Sequence, residues 1–174
     1  NDIASSNKYW KIIVLHEPGY SAGGNANNID VQNVIQPICE AYNIPLVITG
    51  HNHYYARSRV NGVTHITTGG GGGALYTPNP TYDSVIKIYK QHHYTWFEFD
   101  SITCRIKAVD YLGNLIEDYQ FDFIKCPAPT DLFASKIGDT TATLSWTENG
   151  DATQWQIMID TAGFDTTGFT PILT

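Results

Sequence analysis

Two apolar runs in the first third of the chain each stop on histidine. Trp10-Lys11-Ile12-Ile13-Val14-Leu15 ends at His16-Glu17-Pro18, and Pro45-Leu46-Val47-Ile48-Thr49-Gly50 ends at His51-Asn52-His53. Short, dense apolar runs of this kind read as buried strands. Between them Val31, Val34, Ile35, Ile38 and Tyr42 recur at helical spacing. The pattern predicts a strand–helix–strand unit with parallel strands and a right-handed crossover. Parallel strands share the edge where their C-terminal ends emerge, and open α/β sheets bind ligands there. His16, His51 and His53 are therefore expected on one rim. An extended backbone through 51–53 would turn both rings to the same face.

Further along the chain the period shortens to two. Tyr54 to Arg59 reads as extended, Asn61-Gly62 is a two-residue hairpin signal, and Val63 to Thr67 reads as a short strand with alternating faces. Five glycines follow at 69–73, then a loop-like stretch over 74–92 that turns apolar around Val85-Ile86. Tyr94–Phe99, Cys104–Val109 and Leu115–Phe123 predict an antiparallel meander with turns at Asp100-Ser101 and Leu112-Gly113-Asn114. Cys126-Pro127-Ala128-Pro129 is a stiff linker signal, and alternation in Leu144/Trp146 and Trp155/Ile157/Ile159 beyond it is all β. The fold class is therefore α/β, mixed and β-rich. Its first domain spans 1–126, and a partial all-β sandwich spans 127–174. A sandwich of that type needs about 100 residues, so the second domain is expected to be cut off.

Composition narrows the function. With 42% hydrophobic and 13% aromatic residues the chain has material for a true core. A formal charge of −7 argues against a nucleic-acid surface, which clusters Lys and Arg. No apolar run has the length of a membrane span. The first residue is Asn1 rather than Met, which suggests a processed, truncated or internal segment. Three cysteines do not form a disulfide framework. Cys39 lies on the apolar helix face and reads as core, while Cys104 and Cys126 could pair if the protein is secreted.

The histidines carry the chemistry. Neutral imidazole suits zinc, iron and manganese, and two neighbouring ions activate water and polarise a phosphoryl oxygen. Such a site also needs carboxylates, yet only Glu17 stands near the rim, and its neighbour Pro18 marks it as structural. The glycine run lacks the Gly-Lys-Ser/Thr ending of a phosphate loop and reads as close backbone approach. His65, His92 and His93 read as structural or exposed. The adjacent letters His51-Asn52-His53 are not the nuclease motif of that name, whose residues are spread over a hairpin and a helix.

Taken together, KIIVLHEPGYS, PLVITGHNHYYARS and HITTGGGGGALY resemble the C-terminal half of a calcineurin-like metallophosphoesterase, nearest the purple acid phosphatases, over about residues 1–124. The resemblance implies a β-sandwich flanked by helices and two divalent or trivalent metal ions (Fe, Zn or Mn). His16 and His51 would serve one ion, as catalytic ligands, and His53 the other. It further implies phosphomonoester or phosphodiester hydrolysis by a metal-bound hydroxide. The family's DxH, GDxxD and GNH elements are absent, so a missing N-terminal half is the expected partner and this fragment alone is expected to be inactive. The family often has a phosphate-touching histidine between the two histidine elements. Here that stretch offers Asn25, Asn27 and Asn28, which become the substrate-binding candidates together with Tyr55 of the His-x-His-x-Tyr pattern. Arg57 reads as structural or at the rim.

PAPTDLFASKIGDTTATLSWTENG resembles the opening strands of a fibronectin type III domain, with Trp146 as its core tryptophan. That pairing implies a secreted or cell-surface hydrolase, extracellular or periplasmic and bacterial. The alternative is a non-catalytic extracellular β-rich binding or assembly segment with vestigial histidines. A zinc nuclease is disfavoured by the acidic charge. Oligomeric state is not legible.

Overall fold

The histidine-terminated runs do pair as parallel strands. In the computed structural model, which describes residues 2–79, 81, 82, 84–123, 129–148 and 155, β1 (Ile12–Val14) lies beside β2 (Leu46–Thr49) with Ile12 opposite Leu46 and Val14 opposite Ile48. β2 pairs in parallel with β4 (Val63–Thr68). β4 pairs antiparallel with β3 (Tyr55–Val60), and β3 with β5 (Val85–Tyr89). The resulting five-stranded sheet has the order β1-β2-β4-β3-β5. A second, three-stranded sheet is the meander β6 (His93–Phe99), β7 (Thr103–Asp110) and β8 (Leu115–Asp122). The molecule is thus β-rich with mixed sheets and few helices.

The helical crossover begins as a wide turn over Val31–Ile35 and tightens into α2 (Gln36–Ala41), following a single turn α1 at Asp2–Ser5. Proline explains the switch. Pro37 has no N–H to give, and Gln36 N–H instead reaches back five residues to the Val31 carbonyl. Asn28 caps the entry, its Oδ1 accepting the N–H groups of Asp30 and Val31 at 2.8 and 3.3 Å.

Each face of the five-stranded sheet has its own core. Cys39, Ile44, Val47 and Val63 pack on the helical side. Leu46, Tyr55 and Ile66 meet Cys104, Ile106, Ala108 and Ile116 of the second sheet on the other. Val63 to Thr67 was expected to alternate inside and out, but all five residues are buried. β4 is central, with helix on one face and sheet on the other, so it has no solvent side. The apolar run near Val85 proves to be an edge strand. The Asn61-Gly62 hairpin has φ of +47° and +83° at its two positions, the doubly left-handed turn that the Asn-Gly pair favours.

Glu117 on β8 ties the two sheets together. Its carboxylate accepts Tyr55 Oη–H at 2.7 Å, Arg57 Nε–H at 3.1 Å and Arg57 Nη2–H at 2.9 Å. The guanidinium also lies 3.7 Å over the Tyr119 ring. Arg57 is therefore structural. Tyr55, a substrate candidate in the sequence, is a fully buried core residue with its hydroxyl engaged by Glu117.

The chain divides into two units, Asn1–Ile124 and Lys125–Thr174. In the second, β9 (Thr130–Ser135) and β10 (Thr143–Thr147) form an antiparallel pair with a register shift between Ser145 and Thr147. Of the expected third strand around Gln154–Ile159 only Trp155 is described; the rest of that stretch, most of the linker, and Cys126 lie outside the described residues. Cys104, its suggested partner, is fully buried in the core, as is Cys39. Burial pushes their thiols up, Cys39 to about 11 and Cys104 to about 12.

His65 sits in the middle of β4, 2% exposed, with Nε2–H donating to Gln36 Oε1 at 2.7 Å. Gln36 presents that oxygen because its amide nitrogen donates to Glu40 and to the Val60 carbonyl. Among the described residues Nδ1 of His65 has no hydrogen-bond partner, so a second proton there would be buried without an acceptor. Burial accordingly pushes the imidazole down to about 4, and His93 is lowered by burial as well. The folded state binds fewer protons than the unfolded chain between about pH 6.5 and 4, so stability is full above that window and falls as pH drops through it. The loss expected from His65 is on the order of 2–3 kcal/mol. Urea midpoints measured from pH 7 to 4.5 should fall for the native sequence and fall less for His65→Gln. An identical pH slope in the two proteins would contradict this role.

Candidate metal centre

The ladder between β1 and β2 continues past the ends of the strands. Leu15 N–H donates to the Ile48 carbonyl and Gly50 N–H to the His16 carbonyl, both at 3.0 Å. This pairing carries the backbones of His16 and His51 side by side, and their rings follow. His51 Nδ1 lies 3.1 Å from His16 Nε2, with ring centroids 4.9 Å apart and planes at 71°. Two imidazole lone pairs do not face each other uncompensated at that distance. Either one ring N–H donates to the other nitrogen, or a cation lies between them. If both nitrogens bind one ion at the usual 2.0–2.1 Å, a 3.1 Å separation corresponds to a ligand–metal–ligand angle of about 95–100°. That angle falls between octahedral and tetrahedral values, so the pair fits as two donors of a larger set. Among the described residues no three His, Cys, Asp or Glu side chains are grouped to hold an ion.

His53 occupies a separate setting. The 51–53 segment is not an extended strand end: His51 has φ of +60°, and the chain folds through two very tight turns. Asn52 N–H donates to the Gly50 carbonyl at 2.7 Å and Tyr54 N–H to the Asn52 carbonyl at 2.9 Å. The simple alternation expected for an extended His-x-His therefore does not apply. His53 Nδ1 donates to the Ala74 carbonyl at 2.7 Å, which leaves Nε2 as the ring's lone pair. The Tyr76 ring stacks on it at 4.4 Å and 15°.

Asn52, between the two histidines, holds this bend in place and was not singled out in the sequence. It is fully buried. Its Nδ2 donates to Ser21 Oγ at 2.8 Å, and its Oδ1 accepts Asn25 N–H at 2.7 Å. It thus ties the 50–54 bend to the 21–28 loop. Within that loop Asn27 is engaged with Ser21, and Asn28 with Glu17 and the helix entry. Of the three asparagine candidates only Asn25 keeps its side-chain amide uncommitted among the described residues; its contacts run through its backbone.

The glycine run packs against these elements. A Cβ at Gly69 would sit 2.3 Å from the Asn52 carbonyl oxygen, and one at Gly73 2.7 Å from His53 Cε1. Close approach, the reading taken from the sequence, accounts for both positions. His92 and His93 bracket the same segment. His92 Nδ1 lies 3.2 Å from the Gly70 carbonyl, and buried His93 bridges Thr68 Oγ1 and the Gln91 carbonyl.

No family model matches the chain. Over 67 residues it is 33% identical to Purple acid phosphatase 3 of Arabidopsis thaliana, a stretch covering 37% of this chain and 18% of that protein. Among solved structures it is similar to GAP50, the anchor in the inner membrane complex of Plasmodium, with a TM-score of 0.61 at 20% identity. That match covers 71% of this chain and 40% of the other. The chain thus spans about a fifth of the curated relative's length and two fifths of the solved structure's. The structural likeness shows a shared fold, and the sequence match adds a partial, phosphatase-like similarity.

Asn52→Ala would leave the Asn25 N–H and the Ser21 hydroxyl short of a buried partner, at a cost of roughly 1–3 kcal/mol. Chemical denaturation should show that loss, and zinc or manganese titration should show weaker binding although Asn52 touches no ion. Unchanged stability and unchanged titration would refute the anchoring role.

Proposed function

We propose that residues 1–124 form the histidine-bearing part of a metal-dependent phosphoesterase acting on phosphate monoesters or diesters. The observation that carries this reading is the His16 Nε2–His51 Nδ1 pair, 3.1 Å apart at the C-terminal edge of two parallel strands. The partial identity to a purple acid phosphatase supports it. In this reading His16 and His51 hold one ion and His53, through Nε2, a second, with iron, zinc or manganese matching imidazole donors. Such ions, when bound, neutralise charge on phosphoryl oxygens and lower the pKa of water.

The chain's own residues then have distinct tasks. The β1–β2 ladder fixes the spacing of His16 and His51. Asn52 keeps the His51 and His53 backbones in register with the 21–28 loop. Asn25, whose side-chain amide is uncommitted among the described residues, would be the residue of that loop that donates to a phosphoryl oxygen. Carboxylate donors that the described residues lack would come from the rest of the phosphoesterase domain. A secreted or surface location in a bacterium belongs to the same proposal and rests on the fibronectin-like tail.

The test is hydrolysis of p-nitrophenyl phosphate and bis(p-nitrophenyl) phosphate by the complete metal-loaded protein, with metal content measured in parallel. His16→Ala and His51→Ala should each lower kcat/KM by at least about 100-fold, the scale of several kcal/mol that a lost ion represents, and should reduce the bound metal. A wild-type protein that binds no ion and hydrolyses neither ester would overturn the reading in favour of a binding or assembly segment.

A further inference from the structure

We propose that Tyr76, together with the Gly73–Ala74 backbone, is a positioning element that clasps His53 and holds it in the Nδ1–H tautomer with Nε2 free to bind. The inference rests on the reading of His53 as a ligand but is carried by contacts of its own. The Ala74 carbonyl accepts from Nδ1 at 2.7 Å. The Tyr76 ring lies nearly parallel to the imidazole at 4.4 Å and 15°. The chain at Gly73 passes so close that a Cβ there would lie 2.7 Å from Cε1 and 2.9 Å from Nδ1. Tyr76 N–H in turn donates to the His53 carbonyl at 3.2 Å. Residues 73–76 therefore grip His53 by ring face, by ring nitrogen and by backbone.

Tyr76 is itself fixed from another direction. Gly24, at φ +99°, packs against it so tightly that a Cβ would sit 3.0 Å from Tyr76 Cδ2 and 3.2 Å from its Cβ. It also packs against the small core of Ala22, Tyr54 and Ala56. Three loops, 21–28, 50–54 and 69–76, thus meet around one phenol ring. An imidazole held by a carbonyl at one nitrogen loses tautomeric freedom, and the ring nitrogen left over is the one that coordinates. Groups that orient a ligand in this way typically contribute a factor of about 10–100 in metal affinity. The stack requires the ring and not the hydroxyl, so phenylalanine should replace tyrosine here.

Two readouts on the complete protein test the clasp. Long-range proton–nitrogen NMR of the metal-free protein, at a pH where the ring is neutral, should find His53 as Nδ1–H in the wild type and in Tyr76→Phe. Tyr76→Ala should show a mixed or Nε2–H ring. Zinc or manganese titration should show binding at His53 weakened about 10- to 100-fold in Tyr76→Ala and within about twofold of wild type in Tyr76→Phe. Gly73→Ala, which pushes on the same ring, should follow Tyr76→Ala in the NMR readout. An Nε2–H tautomer in the wild type, or a Tyr76→Ala protein with wild-type tautomer and affinity, would overturn the proposal. A wild-type His53 held as Nδ1–H that binds no ion would support the clasp and count against the phosphoesterase reading.

Discussion

The parallel pairing of Ile12–Val14 with Leu46–Ile48 is the constraint on which the site depends. Its hydrogen bonds run on beyond the strands, through Leu15 to Ile48 and Gly50 to His16. Because the ladder continues to the residues that carry the rings, the spacing of His16 and His51 is set by backbone hydrogen bonds rather than by flexible side chains. Buried cores on both faces of the sheet keep that ladder from sliding. A one-residue slip of β2 would exchange Leu46 and Ile48 with Val47 between two different apolar environments.

Where the ladder ends, the backbone leaves ordinary geometry. His51 adopts a left-handed conformation that non-glycine residues avoid, and it is followed by two tight turns. Such conformations persist only when their surroundings over-determine them, and they concentrate at functional sites. Buried Asn52 supplies that over-determination from beneath, and the glycine segment 69–73 from the side. The same segment then turns up to grip His53. The three rings at this edge are thus stabilised by two different means, strand pairing for His16 and His51 and a loop clasp for His53.

Much of this was legible in the chain. The crossover, the Asn-Gly hairpin, the meander and the core position of Cys39 follow from period and turn chemistry, which are local signals. The strand at Val85–Tyr89 did not stand out because a short apolar run after Pro and Asn residues resembles a loop; its strand character comes from pairing with β3. Alternation failed for Val63–Thr67, since double-sided burial is a property of the sheet order and not of the segment. From the letters Tyr-Ala-Arg, Tyr55 reads as a substrate candidate and Arg57 as structural or at the rim. Only the packed sheets reveal that Tyr55 and Arg57 both turn to Glu117, sixty or so residues away. Asn52 and Tyr76 were missed for the same reason: each acts through contacts with loops distant in sequence, and neither residue type in a loop signals that by itself.

The central claim is that His16 Nε2 and His51 Nδ1 share one metal ion. Anomalous diffraction from crystals of the complete protein grown with zinc or manganese tests it most directly. The account predicts an anomalous peak about 2.0–2.3 Å from both nitrogens. Rings that keep their direct hydrogen bond at saturating metal, with no peak between them, would contradict it.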